Sequence, residues 1–519
     1  MVSEDGARRV RCVGTAPNGY RREVTVRPST DPGVRVRFAP SPTGALHLGS
    51  AFVALANVAY STSTAGTFVL RIDDTDQSRS REEDTDELLR LLRWLEIDWD
   101  EGPIRQSERG DVYAAALDRL IDAGHAYPCF CGAARLADLR AEQERAGLPP
   151  RYDGRCRALE RDEAERSVAE GAPHVLRFAV PEGRDVEVDD LVHGRVVVPA
   201  GSFGDPILCR ADGSPGYLLA SVVDDIDLAI THVIRGEDHL PNTARQLLLF
   251  EALEAPVTPT FAHLPLLRDV DGRKLSKRDP LGTLDEFADE GFLPVTVRRY
   301  LAELLGQGAV DLLDAEREDA VDFRVERVPT GAPRVDRARL ESLGREDMAM
   351  LDPAEWLRGT NLEPTPEREP VVRELAAASP SRVALRGELR LVFDGPGAGD
   401  LPHVLGIFAP DDATLDAADA ALVVVIEQLR HEIASGPEAG VDSIWAAPFI
   451  ARTRAAASEL GMGTRDVLRP LRIALTGTTS GPGLELVLTA VGAREALRRV
   501  HLACTIIDEL RGGKQAVVG

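Results

Sequence analysis

Two lysines stand three residues apart in a short polar stretch of the sequence, KLSKR at residues 274–278. The sequence holds 61 lysines and arginines, yet only Lys274, Lys277 and Lys514 are lysines. Lysine carries a compact, mobile point charge, whereas arginine presents a planar fork suited to bidentate pairing. A mobile charge suits a phosphate group whose negative charge shifts during a reaction. The stretch therefore indicates either a phosphate-handling loop or a solvated basic loop.

A second candidate anion site is the tetrapeptide HLGS at residues 47–50, which opens an apolar helical pattern. Free backbone N–H groups and the helix dipole at such a start favour a bound phosphate. His47 could donate to a phosphate oxygen, and Gly49, which has no side chain, would let a base or ribose lie against the backbone. In the alternative interpretation, His47 only caps the helix and Gly49 packs against a strand.

Charged residues follow two predicted strands at the edge where ligands of open α/β sheets bind. The strand at 67–72 runs into Asp73, whose carboxylate could hold an ammonium group. The alternative for this acidic stretch is helix capping, which we expect to be the main role of Asp74–Asp76. The strand at 230–234 runs into Arg235, which either faces a ligand or pairs with an aspartate of the same loop.

The cysteine spacing allows a metal site. Cys129 and Cys131 are one residue apart, and Cys156 follows beyond a charged helical segment. Three thiolates leave one position of a tetrahedral zinc site, for which Tyr152 is the candidate, although tyrosine is an unusual zinc ligand. Considered alone, these residues favour three small buried thiols instead, because a CxC spacing is poor for a zinc finger.

The elements that must position these residues follow from the apolar pattern. A strand at 34–38, a turn containing Pro and Gly, a helix at 46–60 and the strand at 67–72 predict a βαβ unit of the nucleotide-binding kind. Segments 207–210 and 217–225 are expected to return to the same sheet. Beyond residue 285 the pattern is mostly helical, apart from an acidic stretch at 306–336 that we interpret as a linker or a weak subdomain.

Composition limits the class of protein. A chain of 519 residues should hold about three or four domains, and its 44% apolar and 28% charged residues are normal for a soluble globular protein. It has no apolar run of about 18 residues that would predict a membrane span, and the first thirty residues lack the apolar centre of a secretory signal. Six scattered cysteines predict a reducing cytoplasm. The net charge of −24 argues against indiscriminate nucleic-acid binding but permits a local basic face.

Four phrases carry a resemblance to a known family: FAPSPTGALHLGSA from Phe38, FVLRIDDTD from Phe68, VIRGEDHL from Val233, and KLSKR. Over about residues 34–300 the chain resembles the class I aminoacyl-tRNA synthetases, specifically the bacterial glutamyl-tRNA synthetases. The resemblance implies an α/β fold, with a Rossmann-type nucleotide-binding catalytic domain, an inserted α/β subdomain and an all-α C-terminal anticodon-binding region.

The same resemblance implies a division of the chain into domains. A disordered extension would occupy 1–32, and the Rossmann domain would occupy 33–110 and 201–270. Between its halves, 111–200 would form the acceptor-binding subdomain with a possible zinc site. A stem-contact region with the KLSKR loop would follow at 271–350, and the helical anticodon-binding domain at 351–519.

Roles for single residues are also implied by the resemblance. The catalytic residues would be His47, Lys274 and Lys277. The ATP site would comprise His47, Gly49, Lys274, Ser276 and Lys277. Glutamate would be bound by Arg37, Ala39, Ser41, Asp73, Tyr217 and Arg235. A structural zinc ion, held in some members through a CxC…YxxxC pattern, would be bound by Cys129, Cys131, Tyr152 and Cys156.

The implied reaction is ATP-dependent formation of glutamyl-adenylate and transfer of glutamate to the 3′ end of tRNA(Glu). Its partners would be L-glutamate, ATP with Mg²⁺ on its phosphates, and tRNA(Glu), and we expect a cytoplasmic monomer. The stretch 464–483 resembles the PLR…LTG…GP stretch of the family's anticodon-binding domain. Its arginines Arg465, Arg469 and Arg472 could touch tRNA phosphates.

Two departures from the family pattern keep alternatives open. Bacterial members usually have Glu at the position of Asp73, whereas glutaminyl and eukaryotic-type glutamyl relatives have Asp, and the usual aromatic phrases are missing at 306–350. One alternative is a paralogue that serves a specialised tRNA or a biosynthetic pathway. The other is a catalytically inactive RNA-binding relative, although the family's basic residues are intact.

Overall fold

The computed structural model describes residues 33–517, apart from 43, 45, 77–79, 200–201, 276–282, 315–321, 363–364, 366–367, 397–400, 410 and 436–444. The predicted extension at 1–32 lies outside the described residues, as do Ser276 and Lys277 of the KLSKR stretch. Among the described helices, none is long and apolar enough to cross a membrane.

A seven-stranded sheet forms the centre of the catalytic half, in the order β3-β2-β1-β9-β10-β6-β7. Its strands are β1 (Arg35–Phe38), β2 (Thr67–Ile72), β3 (Glu101–Arg105), β6 (Val186–Asp190), β7 (Gly194–Val198), β9 (His232–Gly236) and β10 (Thr260–Leu264). All neighbouring strands are parallel except β6 and β7. The parallel pairing of β1 with β2 confirms the predicted βαβ unit.

Helices cover this sheet because their apolar residues need burial. They are α1 (Leu48–Ser63), α2 (Glu82–Trp94), α3 (Gly110–Asp122), α6 (Tyr217–Asp227) and α7 (Leu240–Ala252). Ten of the sixteen residues of α1 are buried, which explains its almost continuous apolar sequence. Three acidic residues in the first turn of α2 are favourably placed at the positive end of the helix dipole.

The prediction that 217–225 returns to the sheet is wrong. This segment is part of α6, and each residue from Leu218 to Asp225 is buried. The helix packs against α3 and α7 rather than joining a strand. A run that is buried on every side shows no polar face in either conformation, so periodicity alone does not separate a buried helix from a buried strand.

A separate three-stranded antiparallel sheet lies in the insertion, in the order β4-β5-β8. Its elements are β4 (Ala126–Cys129), α4 (Ala133–Arg145), α5 (Arg161–Ala169), β5 (Val175–Phe178) and β8 (Ile207–Cys209). Two strands differ from the expected assignment. The hairpin β6–β7, expected within 111–200 as part of the insertion, extends the central sheet through β10. Conversely, β8, expected in the second Rossmann half, pairs with β5.

The segment after the central sheet contains α8 (Leu284–Asp289), α9 (Pro294–Leu304) and α10 (Arg337–Met350). The described part of 306–336, interpreted above as a linker, contributes buried side chains to the catalytic core, among them Leu312, Phe323 and Val325. Arg298 on α9 strengthens this attachment, because it donates to Asp311 at 2.6 Å and to Glu96 at 2.6 Å. The segment is therefore integrated into the catalytic half.

The rest of the described chain is helical and has a hydrophobic core of its own. Its helices are α11 (Pro353–Trp356), α12 (Glu369–Ala378), α13 (Arg382–Phe393), α14 (Leu401–Phe408), α15 (Asp412–Ser435), α16 (Ala446–Glu459), α17 (Thr464–Thr476), α18 (Leu484–Val491) and α19 (Ala493–Val517). Together with the catalytic sheet, this confirms the predicted architecture of an α/β half followed by an all-α region.

Candidate active site

A cavity of about 420 Å³ opens at the carboxyl ends of β1, β2 and β9, next to the start of α1. Nine of the residues assigned to the site from the sequence line it together: Arg37, Ala39, Ser41, His47, Gly49, Asp73, Tyr217, Arg235 and Lys274. Parallel strands bring these distant positions to one sheet edge. The positions of Ser276 and Lys277 lie outside the described residues.

The start of α1 forms one wall of the cavity. His47 is the first flanking residue of the helix, in extended conformation, and no side chain caps the first turn. A Cβ added to Gly49 would have no atom within 4 Å, so Gly49 does not pack against a strand. The turn therefore presents backbone N–H groups and the positive end of a helix dipole toward the cavity, an arrangement that favours an anion.

Residues on either side of the undescribed 276–282 lie at this helix start or in the cavity wall. Lys274 and Leu275 line the cavity, and the ammonium of Lys274 is 3.4 Å from Oδ2 of Asp238. On the far side, Thr283 forms a β-bridge with His47, and the amide of Leu284 donates to the carbonyl of Leu46 at 3.0 Å. Lys274 and Leu275, the described residues of the KLSKR stretch, thus line the same cavity as the HLGS turn.

A buried network of charges holds the glutamate-assigned residues of β1 and β2. Asp225 on α6 accepts from Nε of Arg37 at 3.1 Å and from Nη1 of Arg71 at 2.8 Å. Arg71 also donates to both carboxylate oxygens of Asp73, at 2.7 and 3.2 Å. Asp224 lies 3.6 Å from Arg71 and completes the network. These contacts fix Arg37 and Asp73 before any ligand binds.

The two carboxyl groups in this network differ in acidity. Burial raises the pKa of Asp73, and the nearby guanidinium groups of Arg71 and Arg37 offset this only in part. Burial acts in the same direction on Asp225, but the flanking guanidinium groups of Arg37 and Arg71 bring its pKa below the usual value. Asp225 is therefore the ionised counter-charge of Arg37 and Arg71, whereas a further cation would stabilise the ionised form of Asp73.

Arg235 is almost entirely buried, and its hydrogen-bond partners are neutral. Its Nη2 donates to Oγ1 of Thr243 and to Oε1 of Gln246, each at 2.6 Å, and its Nη1 donates to the hydroxyl of Tyr217 at 3.3 Å. Among the described residues, no carboxylate forms an ion pair with it. Burial lowers the pKa of Arg235 to about 10, so it remains a cation at neutral pH. A buried cation without a counter-ion favours an anionic ligand.

His239 lies beside this arginine. Its Nδ1 is 3.1 Å from the hydroxyl of Tyr217. Burial and the nearby Arg235 lower the pKa of His239 to about 4. The imidazole is thus neutral at neutral pH and adds no positive charge to the cavity wall.

Several site residues were not found from the sequence: Asp190, Asp224, Asp225, Gln246 and His263. All are buried and lie outside the cavity lining. Asp224, Asp225, Gln246 and His263 contact arginines of the site directly, whereas Asp190 contacts His263. One signal was available, because the aspartates of LLASVVDD interrupt an apolar run and a buried carboxylate needs a cationic partner. Nothing in the sequence identifies which arginines those partners are.

Asp74 does not cap a helix, contrary to expectation. It accepts from the backbone amide and the hydroxyl of Ser107, both at 2.8 Å. The residue that precedes α2 is Arg81, and no side chain caps that helix. Asp74 therefore ties the end of β2 to the segment that follows β3.

The three cysteines of the insertion form a cluster. The sulfur atoms of Cys129, Cys131 and Cys156 all lie within 4.8 Å of one another. The hydroxyl of Tyr152 is 3.3 Å from the first sulfur and 3.5 Å from the second, and it accepts from the amide of Cys156 at 2.9 Å. The structure thus brings together the four residues that the resemblance assigns to zinc.

The helical region contains the arginines considered for tRNA contact. Arg465 and Arg469 on α17 are exposed, and Arg469 lies 5.4 Å from the ring of Phe408. Arg472 is half-buried and donates to the carbonyl of Pro482 at 2.7 Å. Because its guanidinium stabilises the turn after α17, Arg472 is less suited to contact RNA than its two exposed neighbours.

Comparison with known proteins identifies the family of this chain. Residues 33–341 match the catalytic domain of the class I tRNA synthetases (E and Q), and residues 422–504 match an anticodon binding domain. The chain is 39% identical over 470 residues to a glutamate–tRNA ligase of Synechococcus sp., covering 87% of this chain and 94% of that one. It is 34% identical over 490 residues to a glutamate–tRNA ligase of Trichlorobacter lovleyi, covering 91% and 98%.

A solved structure shows the same fold. The crystal structure of a glutamate tRNA ligase from Elizabethkingia meningosepticum in complex with its amino acid superposes with a TM-score of 0.74 at 26% identity. The match covers 91% of this chain and 99% of that one.

Proposed function

Because this chain belongs to the class I tRNA synthetases (E and Q), we propose that it is a glutamate–tRNA ligase. It activates L-glutamate with ATP to glutamyl-adenylate and then transfers glutamate to the 3′ end of tRNA(Glu). The similarity to curated glutamate–tRNA ligases over most of the chain supports this assignment. A second, internal observation supports glutamate as the amino acid.

That observation is the pair of arginines in the cavity wall. Arg235 has neutral partners, and Arg37 shares Asp225 with Arg71. The two carboxylates of a dicarboxylic amino acid would therefore supply negative charge that these guanidinium groups lack. A guanidinium and a carboxylate form a charge-assisted pair, which an amide forms less well. The cavity therefore favours glutamate over glutamine. Asp73, which is held by Arg71, would receive the ammonium group, and Ala39, Ser41 and Tyr217 would complete the glutamate site.

ATP would lie with its phosphates between the start of α1 and the KLSKR loop. His47 and Gly49 would contact the nucleotide at the helix start, and Lys274, Ser276 and Lys277 would approach from the loop. The α-carboxylate of glutamate attacks the α-phosphorus in line, and pyrophosphate leaves. His47, Lys274 and Lys277 stabilise the charge that develops on the phosphate oxygens. Bound Mg²⁺ would add charge neutralisation on the phosphates.

The 3′-terminal ribose hydroxyl of the tRNA then attacks the carbonyl carbon of the adenylate, and AMP leaves. Exposed Arg465 and Arg469, within the part of the chain that matches the anticodon domain, are candidates for phosphate contacts. The acceptor end would meet the insertion, and the region at 271–350 would meet the stem. A translation enzyme of this kind fits a cytoplasmic monomer.

The cysteine cluster fits a structural zinc ion. Tetrahedral Zn–S bonds of about 2.3 Å separate sulfurs by about 3.8 Å. The sulfurs of Cys131 and Cys156 are 3.5 Å apart, and all three sulfurs lie within 4.8 Å of one another. Cys129, Cys131, Cys156 and Tyr152 would hold the ion and fasten β4 to the segment after α4. None of these four residues lines the cavity, so the ion would stabilise the insertion rather than take part in the reaction.

Metal removal tests this assignment. We expect about one zinc ion per purified chain, and chelation should lower the thermal stability of the insertion without altering the KM for ATP. Cys131→Ser should lose the metal, whereas Cys209→Ser, which changes a buried cysteine outside the cluster, should retain it. Zinc-free wild-type protein, or a Cys131→Ser variant with full zinc content, would contradict the proposal.

Charging assays test the function as a whole. Purified chain should attach glutamate to tRNA(Glu) in an ATP-dependent reaction, and glutamine should not replace it. Assays on separate tRNA(Glu) and tRNA(Gln) isoacceptors distinguish this enzyme from a paralogue with a specialised tRNA. Lys277→Ala should slow adenylate formation by about 100-fold or more, because one preorganised charge contact is worth about 2.7–4 kcal/mol. Absence of ATP–pyrophosphate exchange with tRNA bound would instead favour an inactive relative.

A further inference from the structure

A buried aspartate–histidine pair lies next to Arg235 but does not line the cavity. Asp190 ends β6 and His263 lies on β10, and neither side chain has exposed surface. Oδ2 of Asp190 is 2.6 Å from Nδ1 of His263. The other ring nitrogen of His263, Nε2, is 3.2 Å from Nε of Arg235 and 3.0 Å from Oγ1 of Thr243. The β9–β10 register sets His263 directly beside Arg235.

These contacts fix the tautomer of His263. A guanidinium N–H can only donate a hydrogen bond, so Nε2 must provide a lone pair. In the neutral imidazole the proton then resides on Nδ1, from which it is donated to Asp190. Burial lowers the pKa of His263, in agreement with a neutral ring beside a cation. Thr243 favours the same tautomer. Its Oγ1 accepts from Arg235, and its hydroxyl proton can be donated to Nε2, which lies within hydrogen-bond distance.

Asp190 is itself held rigidly. Its Oδ1 accepts from the backbone amides of Val192 and His193, at 3.0 and 2.9 Å, and the amide of His263 donates to its Oδ2 at 3.1 Å. These donors, together with the His263 ring, bring its pKa below the usual value although burial opposes this. The carboxylate therefore stays ionised and keeps one orientation relative to the ring.

We propose that Asp190 and His263 are positioning residues for substrate recognition: they hold Arg235 in the orientation that meets the glutamate carboxylate. Asp190 selects the tautomer, and His263 separates the aspartate from the arginine. A carboxylate in direct contact would neutralise Arg235, whereas a neutral imidazole orients it and leaves its charge available to the ligand. This inference rests on the proposed function, because glutamate is the carboxylate that Arg235 would bind.

The alternative is that the pair only joins β6 to β10. Both interpretations predict that truncation of either residue destabilises the protein. The two interpretations differ for substitutions that preserve the shape of the side chain and its hydrogen bonds with only one of its neighbours. If the pair only joins the strands, the KM for glutamate should change only when contacts between β6 and β10 are lost. If it positions Arg235, the KM for glutamate should depend on whether Nε2 of His263 is protonated.

Asp190→Asn is the decisive substitution, because it preserves shape. The carbonyl of the introduced side-chain amide can still accept from the backbone amides, which turns its NH₂ group toward Nδ1 of His263. That nitrogen must then accept, the proton moves to Nε2, and an N–H faces the N–H of Arg235. We expect the KM for glutamate to rise about 10-fold to 100-fold, as for loss of a hydrogen bond to a charged group, while the KM for ATP changes less than about twofold.

The tautomer is measured directly by ¹⁵N NMR of chain labelled at histidine. The wild-type His263 ring should show a protonated Nδ1 and an unprotonated Nε2, and Asp190→Asn should reverse the two. The signals are assigned by their loss in His263→Gln. Far-UV circular dichroism and the thermal midpoint establish that each variant is folded.

Two substitutions at His263 provide a second route that does not depend on Asp190→Asn folding. His263→Asn retains a donor for Asp190 but withdraws the acceptor from Arg235, so the KM for glutamate should rise. His263→Gln extends an amide oxygen to the position of Nε2 and should restore most of the affinity. His232→Gln, on β9 and outside the cavity lining, is the matched control and should leave both KM values at the wild-type level.

The inference is overturned if Asp190→Asn reverses the tautomer and the KM for glutamate stays within twofold of wild type. It is also overturned if His263→Asn and His263→Gln raise the KM values for glutamate and ATP equally, since that is the behaviour of a joining role. Failure of the proposed function is a separate result, because wild-type chain would then not charge tRNA with glutamate at all.

Discussion

Arg235 is oriented by donor contacts that lysine cannot reproduce. Its guanidinium reaches Thr243, Gln246 and Tyr217 at once, and a lysine ammonium is a single point charge on a flexible stem. We expect Arg235→Lys to raise the KM for glutamate about 10-fold to 100-fold. The KM for ATP should be nearly unchanged, because the expected phosphate contacts come from other residues.

Steady-state charging with varied glutamate measures this effect. Arg245→Lys is a suitable control, because Arg245 is half-buried on the neighbouring helix and does not line the cavity. An Arg235→Lys enzyme with the KM for glutamate of the wild type would show that Arg235 does not bind the substrate.

At the scale of residues, the sequence predicts where site residues lie in the fold better than it predicts which residues they pair with. Arg37, Asp73 and Arg235 follow or end strands, and the fold places strand ends at one edge. Their partners come from elsewhere in the chain: Asp225 lies 154 residues from Arg71 and is carried by a helix. Which carboxylate meets which arginine depends on packing between elements, and no local pattern encodes it.

At the scale of elements, segments with a clear period were predicted well, whereas α6, which begins with an apolar run, was assigned to the wrong element type. The helices after residue 411 have a polar side, and their existence and type follow from the sequence. By contrast, α6 was expected in a sheet because its apolar run shows no polar face, in agreement with the burial of every residue from Leu218 to Asp225. The strands β6, β7 and β8 were assigned to the wrong sheets for another reason. Which strands pair depends on long-range topology rather than on local sequence.

Close packing between α10 and the turn before α13 lets us predict how a substitution in α10 changes the free energy of unfolding. A Cβ added to Gly344 would lie 2.2 Å from the carbonyl oxygen of Pro380. Helix propensity alone favours Gly344→Ala by about 1 kcal/mol. The backbone contact should reverse this sign, and we expect the free energy of unfolding to fall by about 1–3 kcal/mol, as in overpacked cores.

Gly387 in α13 offers the matched comparison, because a Cβ there would have no atom within 4 Å and the residue is exposed. Gly387→Ala should therefore stabilise the protein by up to about 1 kcal/mol. Denaturant unfolding of the two variants measures both values. Stabilisation by both substitutions would show that α10 and the Pro380 turn are not in tight contact.

At the scale of the molecule, the described chain has three hydrophobic clusters, two in the catalytic half and one centred on the helical region, and buried arginines tie its elements together. Arg499 donates to the carbonyls of Val392 and Phe393 at the end of α13, at 2.6 and 2.8 Å, and to that of Leu475 near the end of α17, at 2.7 Å. Carbonyls at helix ends have no partner within the helix. One cation thus satisfies two helix termini, which explains a fully buried arginine in the helical region.

The pH dependence of stability also belongs to the whole catalytic half. Burial lowers the pKa values of His232, His239 and His263, and for His239 to about 4. These rings are neutral in the fold, and each takes up a proton on unfolding below its unperturbed pKa of 6.5. The unfolded state then binds more protons, so stability falls as pH falls from about 6.5 toward 4.

Thermal midpoints of the intact chain, measured at constant ionic strength from pH 7.5 to pH 5, should therefore decrease steadily below about pH 6.5. His232→Gln removes one of the three titrations and should make the decrease shallower, whereas the exposed His501→Gln should leave it as in the wild type. The raised pKa of Asp73 acts in the opposite direction, because its protonation is easier in the fold than in the unfolded chain. A midpoint independent of pH across this range would mean that the three histidines are not held neutral by burial.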